Sequence, residues 1–318
     1  MRTFAPGKLV LTGAYAVLEG APAVAVAVSR GAFADSSRAA SSPTPEVQAA
    51  LGAGVTAPHV DASLMFVPCP EGGTRKLGLG ASAAILVASL AAREAESGAD
   101  PSSPSVREGL FAQARDAHAK AQRGGSGVDV AASVYGGAIE YVMGRAVKRV
   151  ALPAELQVHV FACGKSAQTS ELRAHVDRLA QTSPSLHRAR MTDLVTIASD
   201  AARAVGANDA VAFVESLRRT ARALAELGTA AGVALVPSGF DALEASAARD
   251  GAAFAVSGAG GGDVAVHVGP GAPTATFVER AHALGLFLLD LSIDYKGVRI
   301  APAAAANAAV MESVPDQR

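Results

Sequence analysis

The chain has 318 residues, 50% of them hydrophobic and 18% charged, with 28 basic side chains against 29 acidic ones, which is long enough for two domains sharing one large interface. That charge balance and a content of 4% aromatic residues exclude a polycationic binder of nucleic acid or membrane surface, so any charged ligand has to be met by locally placed groups. The two cysteines, Cys69 and Cys163, and seven scattered histidines supply neither a disulfide framework nor a zinc cluster; with no signal peptide in MRTFAPGKLVL and no apolar run near the roughly 18 residues of a membrane span, the sequence reads as a soluble cytoplasmic protein.

Residues 9–11 and 23–28 are short apolar runs bounded by Gly and Pro, and they predict buried strands. Residues 35–58, small, polar and broken by proline, predict a surface loop with at most one short helix over PEVQAALG. A strand near 62–67 leads into KLGLGASAAILVASLAA, where Gly78 and Gly80 stand directly before an alanine-rich helix over 82–94. A second helix follows over 105–122, behind a Ser/Pro-rich start of N-cap character. The segment 134–143 alternates as a strand would, 156–162 is another apolar run, and 170–230 is helical, with apolar residues three and four apart in LRAHVDRLA and VESLRRTARALAELG. Strands return at 254–256, 264–268 and 286–293, and the tail APAAAANAAVMESVPDQR has little to bury and reads as disordered or loosely docked. There is no internal repeat. The chain divides into two α+β halves, 1–150 and 151–318, where LPAEL interrupts the strands.

Five stretches carry candidate chemistry. Gly78 and Gly80 allow a turn with inward N–H groups, and the helix behind them adds its own unpaired N–H groups and positive dipole end, an anion site in outline. SGAGGGD at 257–263 sets three consecutive glycines between apolar runs, which suits a place where a ligand or another backbone comes close, or a hairpin turn capped by Asp263. APGK puts Lys8 at the start of the first strand; GSGVD puts Asp129 on a glycine-flanked turn, where it serves as an N-cap, a functional acid, or both; GKSAQT at 164–169 is a donor-rich turn after a strand.

Taken in this order, APGKLVLTGAYAVLEG at 5–20, GLGASAA at 78–84, GGSGVDVAASVYGG at 124–137 and SGAGGGD at 257–263 resemble the GHMP kinase superfamily, named for galactokinase, homoserine kinase, mevalonate kinase and phosphomevalonate kinase. Within it the chain is most similar to the phosphomevalonate kinase branch, on AHAKAQ before GSGVDVAASVYGG, on GKSAQTSEL, and on a tyrosine, Tyr15, where mevalonate kinases typically carry histidine. The resemblance implies an α+β fold of two domains, an N-terminal ribosomal-protein-S5-like domain and a C-terminal ferredoxin-like one, with the active site between them. It implies ATP phosphates on Gly78, Leu79, Gly80, Ala81, Ser82 and Ala83, with the Ser82 hydroxyl as a Mg²⁺ ligand, and Lys8 and Asp129 as catalytic residues. It places the acceptor, 5-phosphomevalonate, against Lys8, Ser126, Gly127, Lys165, Ser166, Thr169, Arg173 and the loop Gly258, Ala259, Gly260 and Gly261. Ala81 replaces the first of the family's two loop serines, and His118 stands eleven residues before Asp129, where mevalonate kinases carry a glutamate Mg²⁺ ligand, so a second metal ligand is left unnamed.

A phosphate acceptor is already mostly anionic at neutral pH, because its second pKa is about 6. Such a substrate needs no strong base but needs cations that bring two anions together; Lys8, Lys165, Arg173, Arg123 and His118 are the candidates. On this reading Asp129 orients Lys8 and the acceptor, and Lys8 bridges donor and acceptor. A mevalonate kinase or other small-alcohol kinase, and a non-catalytic relative that senses ATP or a metabolite, stay open as alternatives, as does a homodimer.

Overall fold

The computed structural model describes residues 1–68, 73–122, 124–163 and 169–302, Thr169 through its backbone alone. Cys69, Arg123, Lys165, Ser166 and the predicted loose tail beyond Pro302 lie outside these residues; the first residue of that tail, Ala301, is buried and donates its N–H to the Arg2 carbonyl at 2.9 Å.

Strand β1 (Arg2–Thr12) pairs antiparallel with β2 (Ala23–Ala39). Both outrun their apolar cores at 9–11 and 23–28 because the ladder continues through polar positions, Arg2 lying opposite Asp35. The polar tail of β2 then takes β3 (Pro58–Asp61) as a further partner, which corrects the predicted loop over 35–58 at both ends. Between them PEVQAAL forms α1 (Pro45–Leu51), its first turn closed by the Thr44 hydroxyl accepting from the Val47 N–H. Residues 63–65 form a short 3₁₀ turn, so the strand expected at 62–67 starts later: β4 (Phe66–Pro68) pairs with β5 (Thr74–Lys76).

Helices α2 (Ala81–Glu96) and α3 (Pro104–Ala121) stand where the alanine content and the Ser/Pro start place them. The alternation over 134–143 misleads. Its first two residues instead end helix α4 (Val128–Tyr135), and only 138–141 is strand, β6 (Ala138–Tyr141). Gly136 and Gly137, at φ +68° and +67°, make the break, and a side chain at Gly136 would lie 2.2 Å from the backbone of Gly297. Strand β7 (Lys148–Val150) closes this edge.

Strand β8 (Gln157–Cys163) opens the second layer, followed by α5 (Thr169–Thr182), α6 (Pro184–Gly206), α7 (Ala210–Ala231), α8 (Phe240–Arg249), β9 (Ala253–Val256), β10 (Val264–Gly269), α9 (Ala275–Ala283), β11 (Leu286–Leu289) and β12 (Arg299–Ile300). Helices α8 and α9 have no counterpart among the predicted elements: at 10 and 9 residues each shows fewer than about three turns of periodicity. The strand expected over 286–293 stops at Leu289; Ile293 keeps a single bridge to Val28, and β12 returns to pair with β1.

The architecture is α+β. One antiparallel sheet runs β12-β1-β2-β6-β7, with β3 also on β2; a second runs β11-β8-β10-β9, and β4-β5 form a small third. Val160 and Ala162 of β8 join the core under the first sheet, whereas Phe161 and Cys163 point into a second core with Phe254 and Phe277. Successive residues of a strand face opposite ways, so a strand buried on both faces reads as a continuous apolar run.

His267 on β10 is a cost built into that second core. It is 2% exposed, lies 5.0 Å from the Phe277 ring, and neither ring nitrogen has a hydrogen-bond partner among the described residues. Burial first, and then the neighbouring His159, push its pKa from 6.5 down to about 4, against the opposing pull of Asp250. Between these values the unfolded chain binds a proton that the folded chain refuses, so stability is full above pH 6.5 and falls as pH drops toward 4, by up to about 3 kcal/mol. Urea midpoints at pH 7.5 and pH 5 measure this, and His267→Phe is expected to flatten the difference.

Candidate active site

An open cavity of about 860 Å³ is lined by Lys8 and Val10 of β1, the three glycine-bearing loops near residues 78–80, 124–127 and 257–260, and the ends of α2, α3, α4 and α5. Lys8 enters it from β1, whose register against β2 shifts on either side of it, between Pro6 and Gly7 and between Val10 and Thr12. The strand is tied to the first glycine loop: Lys8 N–H donates to the Leu79 carbonyl at 2.8 Å, and a Cβ on Gly7 would lie 2.8 Å from that same oxygen.

Both glycines of that loop have positive φ, +69° at Gly78 and +76° at Gly80, and both are also sites of close approach. A Cβ on Gly80 would lie 3.0 Å from Cγ and Cε of Lys8, and one on Gly78 would lie 2.4 Å from Cβ of Asp263. The loop is therefore a bed for the lysine stem on one side and for the third glycine loop on the other.

Two helix N-termini open into the cavity. The N-caps of α2 and α4 are Gly80 and Gly127, both left-handed and neither carrying a side chain to satisfy the first-turn N–H groups. At α4 the Ser126 hydroxyl accepts from the Val128 N–H at 3.4 Å, so the backbone donors offered to an anion are chiefly those at the start of α2, with both dipole ends adding positive potential. Asp129 is not the N-cap of its helix; it is the second residue of α4, with Oδ1 accepting from the Val130 N–H at 3.0 Å.

A chain of polar contacts crosses the site. Asp129 Oδ2 lies 3.6 Å from His118 Nε2, His118 Nε2 lies 3.2 Å from Ser82 Oγ, and Gln122 Nε2 donates both to Ser82 Oγ, at 3.2 Å, and to Oε1 of the buried Glu46, at 3.1 Å. Lys8 keeps a face to the cavity but is otherwise surrounded by protein. Burial lowers its pKa, the carboxylates of Asp129 and Asp263 oppose that shift, and Lys76 adds to it.

The third loop is stitched to the first sheet. Val10 N–H donates to Ser257 Oγ at 3.0 Å, Gly258 N–H donates to the Val10 carbonyl at 3.2 Å, and the Tyr15 hydroxyl donates to the Ala259 carbonyl at 2.9 Å. Tyr15 has φ 59° and ψ −50°, a conformation costing a non-glycine residue about 1–3 kcal/mol.

Of the residues expected at the site, Lys8, Gly78, Gly80, Ser82, Ser126, Gly127, Asp129, Arg173, Gly258, Ala259 and Gly260 line the cavity. The side chains of Leu79, Ala81 and Ala83 are buried in the core, leaving only their backbone for a ligand. Gly261 does not line it, its N–H being donated to the Leu235 carbonyl at 2.8 Å. Arg173, on α5, stands 3.7 Å from Asp177. Lys165, Ser166 and the Thr169 side chain lie outside the described residues. Sequence reasoning gave no role to Lys76, Gln122 or Asp177, and weighed Asp263 only as a turn cap. Lys76 had a signal, standing directly before the glycine loop; the other three owe their place to packing between distant segments.

No family model matches the chain. A phosphomevalonate kinase of Streptomyces sp. (strain CL190) is 29% identical over an alignment of 216 residues, and the match covers 60% of this chain and 57% of that relative's length. Among solved structures, a protein from Listeria innocua superposes with a TM-score of 0.78 at 24% identity over 94% of this chain and 99% of its own. Streptococcus pneumoniae phosphomevalonate kinase, in complex with phosphomevalonate and AMPPNP, superposes with a TM-score of 0.71 at 17% identity over 92% of this chain and 99% of its own. Structures of mevalonate kinase, galactokinase and homoserine kinase share the architecture. The chain is similar in sequence to a phosphomevalonate kinase and has the two-domain fold of the GHMP kinases.

Proposed function

We propose that this protein transfers the terminal phosphoryl group of ATP to the phosphate of 5-phosphomevalonate, giving the diphosphate. The observation that carries the reading is Lys8, a lysine that lines the cavity with the carboxylates of Asp129 and Asp263 favouring its charged form, beside the N-termini of α2 and α4. Phosphoryl transfer asks a protein mainly for positioning and for positive charge against the spreading charge of the transition state, and this arrangement supplies both. The similarity to a phosphomevalonate kinase, and a fold neighbour solved with phosphomevalonate and AMPPNP, support the choice of substrates.

In this account the N–H groups at the start of α2 hold the ATP phosphates, Lys8 spans donor and acceptor, and Asp129 keeps Lys8 in place rather than removing a proton. Lys76 and Arg173 add positive charge at the cavity wall. The donor set fits a weakly held Mg²⁺. Ser82 Oγ and Asp129, oxygen donors at the α2 and α4 ends, would hold the ion together with the nucleotide phosphates. When bound, the ion neutralises phosphate charge.

A second cavity of about 270 Å³ is lined by Pro43, Thr44, Val47, His59 and Ile85. Ile85 lies three residues along α2 from Ser82, so this cavity is where the nucleotide base would sit. Ile85→Trp, which fills it, is expected to raise the ATP KM at least about tenfold while leaving the acceptor KM unchanged. Phosphorus NMR of a completed reaction tests the acceptor group directly. A diphosphate product shows two mutually coupled signals, whereas phosphorylation of an alcohol shows a single new monoester signal and would replace this reading with the small-alcohol one.

A further inference from the structure

The loop over 257–261 belongs to the second sheet, yet it forms a wall of a cavity whose catalytic lysine belongs to the first. Its rear is fixed. Gly261 N–H is donated to the Leu235 carbonyl at 2.8 Å, and a Cβ on Gly260 would lie 2.2 Å from that oxygen, so the loop backbone sits hard against the turn after α7. Its first residues are fixed by Val10 through Ser257 and Gly258. The tip, where Gly258 and Gly260 have φ +76° and +92° on either side of Ala259, carries only one small side chain, the Ala259 methyl packed against the second core, and a Cβ on Gly258 would meet only open space.

Tyr15 reaches that tip from the opposite side. Its backbone adopts φ 59° and ψ −50°, and Ala16 N–H donates back to the Ala14 carbonyl at 2.7 Å, closing a γ-turn of the rare positive-φ form. This strained turn sends the phenol across the cavity wall. The side chain is 7% exposed and its hydroxyl donates to the Ala259 carbonyl, 244 positions away, at 2.9 Å. Burial and the nearby carboxylate of Asp177 keep the phenol protonated well above its ordinary range, so the hydroxyl is a permanent donor. Strain of this kind persists only where the surroundings impose it, and it clusters at functional sites.

We infer that Tyr15 is a positioning residue for the acceptor: its hydroxyl fixes the backbone of Gly258, Ala259 and Gly260 as the wall against which the acceptor binds, while the nucleotide is held independently at the start of α2. This rests on the kinase reading above, and the test separates the two. Tyr15→Phe keeps the ring and removes the one donor.

Hydrogen exchange of the unliganded protein is read first, since it needs no activity. The amides of Gly258 and Gly261 are expected to exchange at least about tenfold faster in Tyr15→Phe, with the thermal midpoint unchanged within about 2 °C. In steady state the acceptor KM is expected to rise about tenfold and the ATP KM to stay within about twofold. Tyr15→His, which tolerates positive φ and keeps a ring in the buried site but is too short to reach the Ala259 carbonyl, is expected to show the same split and serves if the phenylalanine variant folds poorly. Unchanged exchange together with an unchanged acceptor KM overturns the inference, as does a parallel rise of both KM values with a lowered thermal midpoint, which is the pattern of a purely structural contact. If the wild-type protein phosphorylates no acceptor, the functional reading fails, and the exchange comparison alone decides whether Tyr15 holds the loop.

Discussion

Lys8→Met is expected to lower kcat by on the order of 10³-fold or more with the fold intact, while Asp129→Asn keeps turnover within about tenfold of the wild type. The asymmetry follows from the acceptor. A phosphate monoester is mostly dianionic at neutral pH, so nothing has to be gained by removing a proton from it, whereas two anionic groups have to be brought within bonding distance. Lys8 is the side chain that the cavity is built around, its stem lying along Gly80 and its charged form favoured by Asp129 and Asp263 against the cost of burial. Methionine fills the same volume without the charge. The folded state then loses a buried ammonium whose desolvation is unfavourable but also the cation between two carboxylates, and these effects oppose, so thermal stability should move little. A loss of about 10³-fold in Asp129→Asn would instead identify Asp129 as a general base and favour an alcohol acceptor. Single-turnover kinetics on the two variants, with circular dichroism to confirm folding, decide this.

Gly78→Ala is expected to destabilise the protein by about 2–4 kcal/mol and to lower kcat/KM by about 10²-fold. The methyl group would lie 2.4 Å from Cβ of Asp263, an atom fixed to the backbone, and φ is +69°. Relief requires the two glycine loops to part, which moves the acceptor wall away from the ATP-binding turn. Gly80→Ala makes a useful contrast. There the new methyl group meets the lysine stem at 3.0 Å, which can swing aside, so stability should fall less while kcat falls comparably because Lys8 is displaced. Chemical denaturation and kcat/KM on both variants measure the two quantities separately; equal stability losses would show that the loops are not in the close contact described.

What the sequence reveals here is whatever depends on local backbone chemistry. Gly78, Gly80, Gly127, Gly258 and Gly260 were legible because positive φ and close approach leave glycine few substitutes, and all five line one cavity. Lys8 and Asp129 were legible through their place beside such glycines and through resemblance. The strand predicted over 134–143 starts too early because Val134 and Tyr135 fit alternation as well as helical periodicity, and the deciding features, the positive φ of Gly136 and the Gly136–Gly297 contact, depend on packing. Asp263 beside Gly78, and the Tyr15 hydroxyl on Ala259, join segments far apart in the chain, and no local pattern encodes such a meeting. Strand ends at Ala39 and Leu289 were set by ladder partners for the same reason.

The central claim is that a phosphate group accepts the transferred phosphoryl group. ADP release by the purified protein with Mg·ATP, offered 5-phosphomevalonate, mevalonate and homoserine in parallel, tests it most directly. The account predicts turnover with 5-phosphomevalonate alone. Turnover only with an alcohol would contradict the assignment of the acceptor while leaving the ATP-binding turn in place, and ATP binding without turnover of any of the three would contradict the kinase reading itself.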